Sequence, residues 1–207
     1  MPRFNVIVKF EFADYRTMEI WLDLLNSDWH DYRGSGRRED RLDDAAWIER
    51  YTTRWKDKLG GVAPREIRTA LKHLRKILRR AVNRIVAGKN VPGNLWADLN
   101  SLLAASPIVR RFEKAQTGYA IRLVPLGQDL NAVIAEIVIS FCETLVNGEL
   151  SRIKICNNRD CLWVFYDRSK NRSRRWCEGN TGCGNLMKVR RFRAKKKENR
   201  TRPQRAY

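Results

Sequence analysis

CNNRDCLWVFYDRSKNRSRRWCEGNTGC, residues 156–183, holds four of the chain's five cysteines: Cys156, Cys161, Cys177 and Cys183. Two close pairs separated by a longer stretch is the layout of a tetrahedral zinc site. Four residues lie inside the first pair, fifteen between the pairs and five inside the second. Each pair closes a small loop around a metal. The segment between them, folded as a hairpin, brings the pairs together. Trp163–Tyr166 reads as the first strand of that hairpin and Ser173–Trp176 as the second, with turn chemistry from Asp167, Ser169 and Asn171. A shell of four thiolates leaves no open position for water, so the expected cofactor is one structural Zn2+ ion rather than a catalytic one.

Positive charge surrounds the cysteines. Residues 151–207 carry 18 lysines and arginines against 4 aspartates and glutamates, whereas residues 1–150 carry 24 against 19. The net charge of the whole chain is +19 and its pI about 10.3. Such asymmetry points to a polyanionic partner, nucleic acid first and an anionic membrane surface second. Two clusters are candidate nucleic-acid contacts. Arg168, Lys170, Arg172, Arg174 and Arg175 sit at the expected hairpin turn and suit phosphates. Lys188, Arg190, Arg191, Arg193 and Lys195 would line the exposed side of a helix starting at Cys183, with Leu186, Met187, Val189 and Phe192 docked on the metal core. A basic helix launched from a metal site suits a DNA groove.

Across the whole chain, 43% hydrophobic residues and seven tryptophans are enough for a substantial core. Phe4–Phe12 alternates as a strand does. Asp14 is placed to cap a helix with Met18, Trp21, Leu22, Leu25, Trp29 and Tyr32 on one face. Residues 34–38 read as a loop. Asp43 or Asp44 starts a second helix through Ile48, Tyr51, Trp55 and Leu59. Pro64 opens a third, whose stripe is Ile67, Leu71, Leu74, Leu78, Ala81 and Ile85. Its opposite face, from Arg68 to Arg80, reads as a solvated basic face. A short helix over 94–106, a β-hairpin of 108–112 with 119–124, and an apolar helix over 129–147 follow. Cys142 lies in that apolar run as a small core residue.

The expected fold class is therefore mainly α with a small β-hairpin (α+β) over residues 1–150. A small C-terminal zinc-finger module, a β-hairpin followed by a basic helix, covers 151–195. A basic disordered tail covers 196–207. No signal peptide is visible, and Glu136 and Glu143 interrupt the most hydrophobic stretch, Leu130–Val146, against a membrane span. The expectation is a cytoplasmic chain with reduced thiols and no membrane partner, nucleoid-associated where it binds DNA.

At this point a family resemblance emerges. The run from Cys161 to Cys177, followed by Cys183-Gly184-Asn185, resembles the CGNR-type zinc finger. In that family the finger follows a helical domain called ABATE, described as a stress-induced transcription regulator. Trp21-Leu22-Asp23-Leu24-Leu25-Asn26-Ser27 looks like that domain's opening signature. The resemblance implies zinc on Cys156, Cys161, Cys177 and Cys183, and DNA binding by the finger. Two departures stand out: Leu186 replaces the family's arginine, and five residues rather than four precede Cys183.

The leading expectation is a zinc-dependent DNA-binding transcription regulator with an N-terminal sensor or interaction domain for a small-molecule or protein effector, and a two-fold homodimer as its default assembly. RNA binding by the same basic surface is the alternative, with Trp163, Tyr166 and Trp176 as stacking platforms if exposed. An enzyme is the third reading. Glu19, Asp23, Asp28, His30 and Asp31 are candidate acid–base groups, but an exposed polar face beside the apolar stripe is the plainer reading of them. No phosphate-cradling loop or nucleophile motif appears, so no catalytic residue is assigned.

Overall fold

A computed structural model describes residues 20–114, 119–177 and 182–201. The expected strand over 4–12 and the capping role of Asp14 lie outside them.

The described chain opens with α1, Ile20–Leu25, whose Trp21, Leu24 and Leu25 are fully buried. The sequence pattern extends this helix to Tyr32, but the chain leaves it at Ser27. The Ser27 hydroxyl donates to the Leu24 carbonyl at 2.6 Å, offering the backbone an exit from the helix. Trp29 then lies in a strand, β1 (Asp28–His30), paired antiparallel with β2 (Arg38–Asp40). A bidentate Arg38–Asp28 contact at 2.7 and 2.9 Å staples this small hairpin.

Asp44 caps α2 (Ala45–Thr52) through a 2.9 Å bond from the Ala46 amide. A 3-10 turn, Thr53–Trp55, and α3 (Lys56–Leu59) continue it, with Ile48, Tyr51, Trp55 and Leu59 all buried. The long α4, Pro64–Val86, buries the expected stripe except Ile85, which is half-buried, and adds Ile77 and Val82. Its cationic face is partly spent on structure. Arg75 makes two contacts to Asp40 at 2.7 and 2.6 Å, and Lys72 reaches Asp40 and Asp43. Arg79 donates to the carbonyls of Leu25 and Leu162.

α5 is Gly93–Ala104, and β3 (Ile108–Lys114) pairs with β4 (Tyr119–Pro125) in register from Ile108 opposite Pro125 to Lys114 opposite Tyr119. The last large helix, α6 (Leu130–Asn147), starts at an Asp129 cap. It is long and apolar enough to cross a membrane, yet Ala132, Val133, Ile137, Val138 and Phe141 are buried in the protein core. Glu136 accepts from Trp55 Nε1 at 2.6 Å and pairs with Lys58. Trp21 packs edge-on against Phe141 and donates Nε1–H to Thr144 at 3.0 Å, joining α1 to α6. Cys142 packs half-buried at the core's margin, and burial pushes its thiol pKa up.

Two more strands follow, β5 (Ile153–Ile155) and β6 (Val164–Tyr166). Ile153 and Val164 belong to the same core as Trp21 and Phe141, so the C-terminal module is packed on the helical domain. The final helix, α7, runs Cys183–Thr201 and passes Lys195, where the sequence reading began a disordered tail.

The Asp40 carboxyl carries a pH prediction. Burial raises its pKa, but the bonds from Arg75, then Lys72 and the Leu42 amide, outweigh burial and bring it to about 2. A depressed folded-state pKa stabilises the fold above the ordinary carboxylate range, and that stabilisation is lost as pH falls through the folded value. Asp40→Asn is expected to cost about 2 kcal/mol above pH 4 in denaturant unfolding of the helical domain. The gap to wild type should close as the pH falls toward 2; a gap independent of pH would contradict this.

Candidate metal centre and nucleic-acid interface

The strand chemistry of the module departs from the sequence reading in one respect. The partner of β6 is β5, with Ile153 opposite Tyr166 and Ile155 opposite Val164, not Ser173–Trp176. The segment between Tyr166 and Trp176 is a loop held by side chains. Asp167, fully buried, accepts from Lys154 Nζ at 2.6 Å, the Ser169 hydroxyl at 2.6 Å and the amides of Ser169 and Arg174 at 3.0 Å. Burial pushes its carboxyl up, but these donors, Lys154 first, hold it well below the ordinary range. Lys154 also donates to the carbonyls of Arg172 and Arg174, and Arg152 to those of Asp167 and Ser169. Arg172 adopts a left-handed backbone (φ 52°), which breaks any strand there.

Four sulfurs converge beside this loop. The Sγ atoms of Cys156, Cys161, Cys177 and Cys183 lie within 4.8 Å of one another, and Cys161 to Cys177 is 3.7 Å. Tetrahedral zinc with Zn–S bonds of about 2.3 Å has sulfur–sulfur edges of about 3.8 Å, far from the roughly 2.0 Å of a disulfide. The cysteines are free thiols, three of them buried. The set can hold one structural zinc ion.

Packing thiols this closely sets them against one another. Hydrogen bonds from Cys161 and Cys177 push the Cys156 pKa down, and the same contacts push theirs up. A divalent cation resolves the conflict by taking all four as thiolates and releasing their protons. Donors are already aimed at the sulfurs. The backbone amides of Asn158 and Cys177 hydrogen-bond Cys156, and that of Trp163 hydrogen-bonds Cys161. Asn158 Nδ2 reaches Cys183 Sγ at 3.3 Å. Cys183 also begins α7; burial pushes its thiol pKa up, while the Asn158 amide and the helix dipole act the other way.

Asn158 is the keystone of the first knuckle. It is buried, donates to the Tyr32 carbonyl at 2.7 Å, and accepts from the Asp160 amide at 3.3 Å. Tyr32, Trp163 and Trp176 pack around the cysteines. The helical domain therefore supplies part of the metal centre's wall. Sequence reading did not single out Asn158 or Lys154 for these roles. Asp167 left a signal, as the sole acidic residue among five cations between Cys161 and Cys177.

The ten candidate nucleic-acid residues are all exposed, but they are not equivalent. Arg172 pairs with Glu149 at 2.6 Å, and Arg174 lies over Phe165 while donating to the Trp176 carbonyl at 2.9 Å. Arg190 donates to the Arg33 carbonyl at 3.0 Å and lies 3.6 Å from Asp160. Arg175 and Arg191 both sit over the ring of Trp176. Arg168 and Lys170 stand at the loop tip. Lys188, Arg193 and Lys195 stand on α7.

The expected docking of α7's apolar residues is corrected. Leu186 and Met187 are half-buried in its first turn, but Val189 is 38% and Phe192 69% exposed. Cations flank both along the helix, so no apolar stripe forms to bind it down. Beyond its first turns α7 projects, with positive charge distributed around it. Asp28, Asp31 and His30 do not assemble a site with Asp23. Asp28 is held by Arg38 and lies 3.4 Å from His30 Nε2, and Asp31 accepts from the Arg33 amide in a turn. Glu19 lies outside the described residues.

A helical domain whose core continues into a four-cysteine knuckle and a basic helix defines a class: a zinc-finger protein with an N-terminal helical partner domain. Residues 19–148 match the ABATE family, described as "Putative stress-induced transcription regulator", and residues 152–196 match the CGNR zinc finger. The chain belongs to the ABATE family and carries a CGNR zinc finger. No curated protein matches it.

Proposed function

We propose that this protein is a zinc-dependent DNA-binding transcription regulator. The finger grips DNA, and the helical domain receives an effector or a second copy of the chain. The observation that carries this reading is a basic helix starting on a metal-ligand cysteine and projecting from the body, beside a loop rich in arginine. α7 would lie in a groove, with Lys188, Arg191, Arg193 and Lys195 against phosphates or base edges and Arg168 and Lys170 on the flanking backbone. Arg172, Arg174 and Arg190 would contribute chiefly by shaping that surface, and Arg175, on the same ring as Arg191, would join it against phosphates.

RNA stacking is less well supported. Trp163 and Trp176 pack on the cysteines, and Trp176 already has two arginines on its ring. The Tyr166 hydroxyl accepts from the Glu149 amide at 3.1 Å. The two matched families are described as a zinc finger and a transcription regulator, which supports reading the protein as a non-enzyme. The reading places it in the cytoplasm, on the nucleoid.

Salt tests it. With about six phosphate contacts, duplex affinity should fall about 1,000-fold between roughly 50 and 200 mM salt. Lys188→Ala with Arg193→Ala should flatten the logarithmic slope by about 2. A salt-independent affinity, or tighter binding to single-stranded RNA than to duplex DNA, would contradict the reading.

A further inference from the structure

A second site opens where the helical domain meets the finger. Beside Asn26 lies a groove of about 220 Å3. Trp47 and Tyr51, stacked at 5.0 Å, line it together with Trp163, two residues after the metal ligand Cys161. Three arginines line it as well. Arg41 lies over the Trp163 ring at 6.0 Å, Arg54 lies over Tyr51 at 5.7 Å and Trp55 at 5.3 Å, and Arg50 is exposed on α2.

Charge there is unbalanced. Asp23 is the groove's sole acidic lining residue among those described. The carboxylates next door already have partners. Asp40 is held by Arg75 and Lys72, Asp43 by Lys72 and Glu39 by Arg37, while Asp44 caps α2. Three guanidiniums thus line the groove against one carboxylate among the described residues. A guanidinium resting on a ring face keeps its edge N–H donors available for an anion.

We propose that this groove binds a planar aromatic anion, one or two rings bearing a carboxylate or a phosphate. The half-buried rings of Trp47 and Trp163 receive the aromatic part, with Tyr51 backing Trp47. Arg50 and Arg54 meet the anion, for which the planar fork of arginine is suited. The volume exceeds the roughly 150 Å3 that admits benzene and falls short of a drug-sized pocket. The site deepens the effector reading of the helical domain and rests on it. It draws lining residues from both modules, and Trp163 accepts through its carbonyl the amide hydrogen of ligand Cys156 at 2.8 Å.

Titration calorimetry on the zinc-loaded full chain tests the site with 2-naphthoate and AMP, against 2-naphthol and inorganic phosphate. One of the two aromatic anions should bind with a stoichiometry of one, at least tenfold tighter than either counterpart; which one binds identifies carboxylate or phosphate as the preferred group. Arg50→Gln with Arg54→Gln should weaken it at least tenfold with zinc content unchanged. Should that double variant unfold, Arg41→Gln is read in its place. No binding of either anion at millimolar concentration, or equal binding by the variant, overturns the site. So does a loss of duplex DNA affinity in the variant as large as that of Lys188→Ala with Arg193→Ala, because the groove would then be nucleic-acid interface. Duplex binding measured without either anion reports separately on the regulator reading.

Discussion

Cys177→Ser is expected to strip the protein of its metal and melt the finger while the helical domain stays folded. The reason is the make-up of the second apolar cluster. It consists of Cys156, Cys161 and Cys183, with Tyr32, Trp163, Trp176 and Cys177 packed against them. Take the ion away and the module has four mutually opposed thiols where a core should be. Structural zinc contributes about 10–16 kcal/mol of apparent binding free energy to small modules, far more than the few side chains around it can replace. β5 and β6 should survive, because Ile153 and Val164 are anchored in the main core. The 156–161 knuckle, the 167–176 loop and α7 should not. Metal analysis should give one zinc per wild-type chain and none for the variant. Amide exchange should show protection lost in the knuckle and α7 and kept in α4 and α6. A variant that keeps its zinc, or keeps α7 protected without it, would refute this account of the module.

The second large effect is expected from Asn26→Ala. Asn26 is buried in the turn after α1 and treats Val164 as a strand partner would. Its Nδ2 donates to the Val164 carbonyl and its Oδ1 accepts the Val164 amide, both at 2.9 Å. Val164 is fully buried, and Asn26 is the partner of both its amide and its carbonyl. Truncation leaves a buried N–H and a buried C=O without partners, each costing about 1–3 kcal/mol. The sum, about 2–6 kcal/mol, falls on the joint between the helical domain and the finger. Asn26→Asp should also fail, since it loses the donor and buries a charge. Denaturant unfolding combined with limited proteolysis near residues 148–152 measures both. A change below about 0.5 kcal/mol would mean the joint is held some other way.

How much of this was legible depends on how far apart the partners lie in sequence. The stripe of α4, the β3–β4 hairpin and the largely apolar α6 are each written within one segment, and each was readable from its own pattern. The metal ligands were readable too, because cysteine spacing is local. The helix over 14–32 failed because Ser27 turns the chain out of α1, and an apolar stripe says nothing of a hydroxyl's bond to the Leu24 carbonyl. The strand partner of β6 failed because Ile153–Ile155 precedes the cysteines, whereas Ser173–Trp176 sits between them and looked like the shorter connection. Asn158 to Tyr32 spans 126 residues and Asn26 to Val164 spans 138. No pattern in one sequence carries pairings of that length. The packing of α7 was misread for a different reason: Val189 and Phe192 are apolar but isolated among cations, and composition alone does not tell a docked face from a projecting one.

The central claim is that a single zinc ion shapes a positively charged tool for DNA. Fluorescence anisotropy of a labelled duplex at fixed moderate salt, with the protein zinc-loaded, then dialysed against chelator, then resupplied with zinc, tests it most directly. The account expects binding with the metal, loss of at least a hundredfold in affinity without it, and recovery on return. Equal affinity in all three states would contradict it.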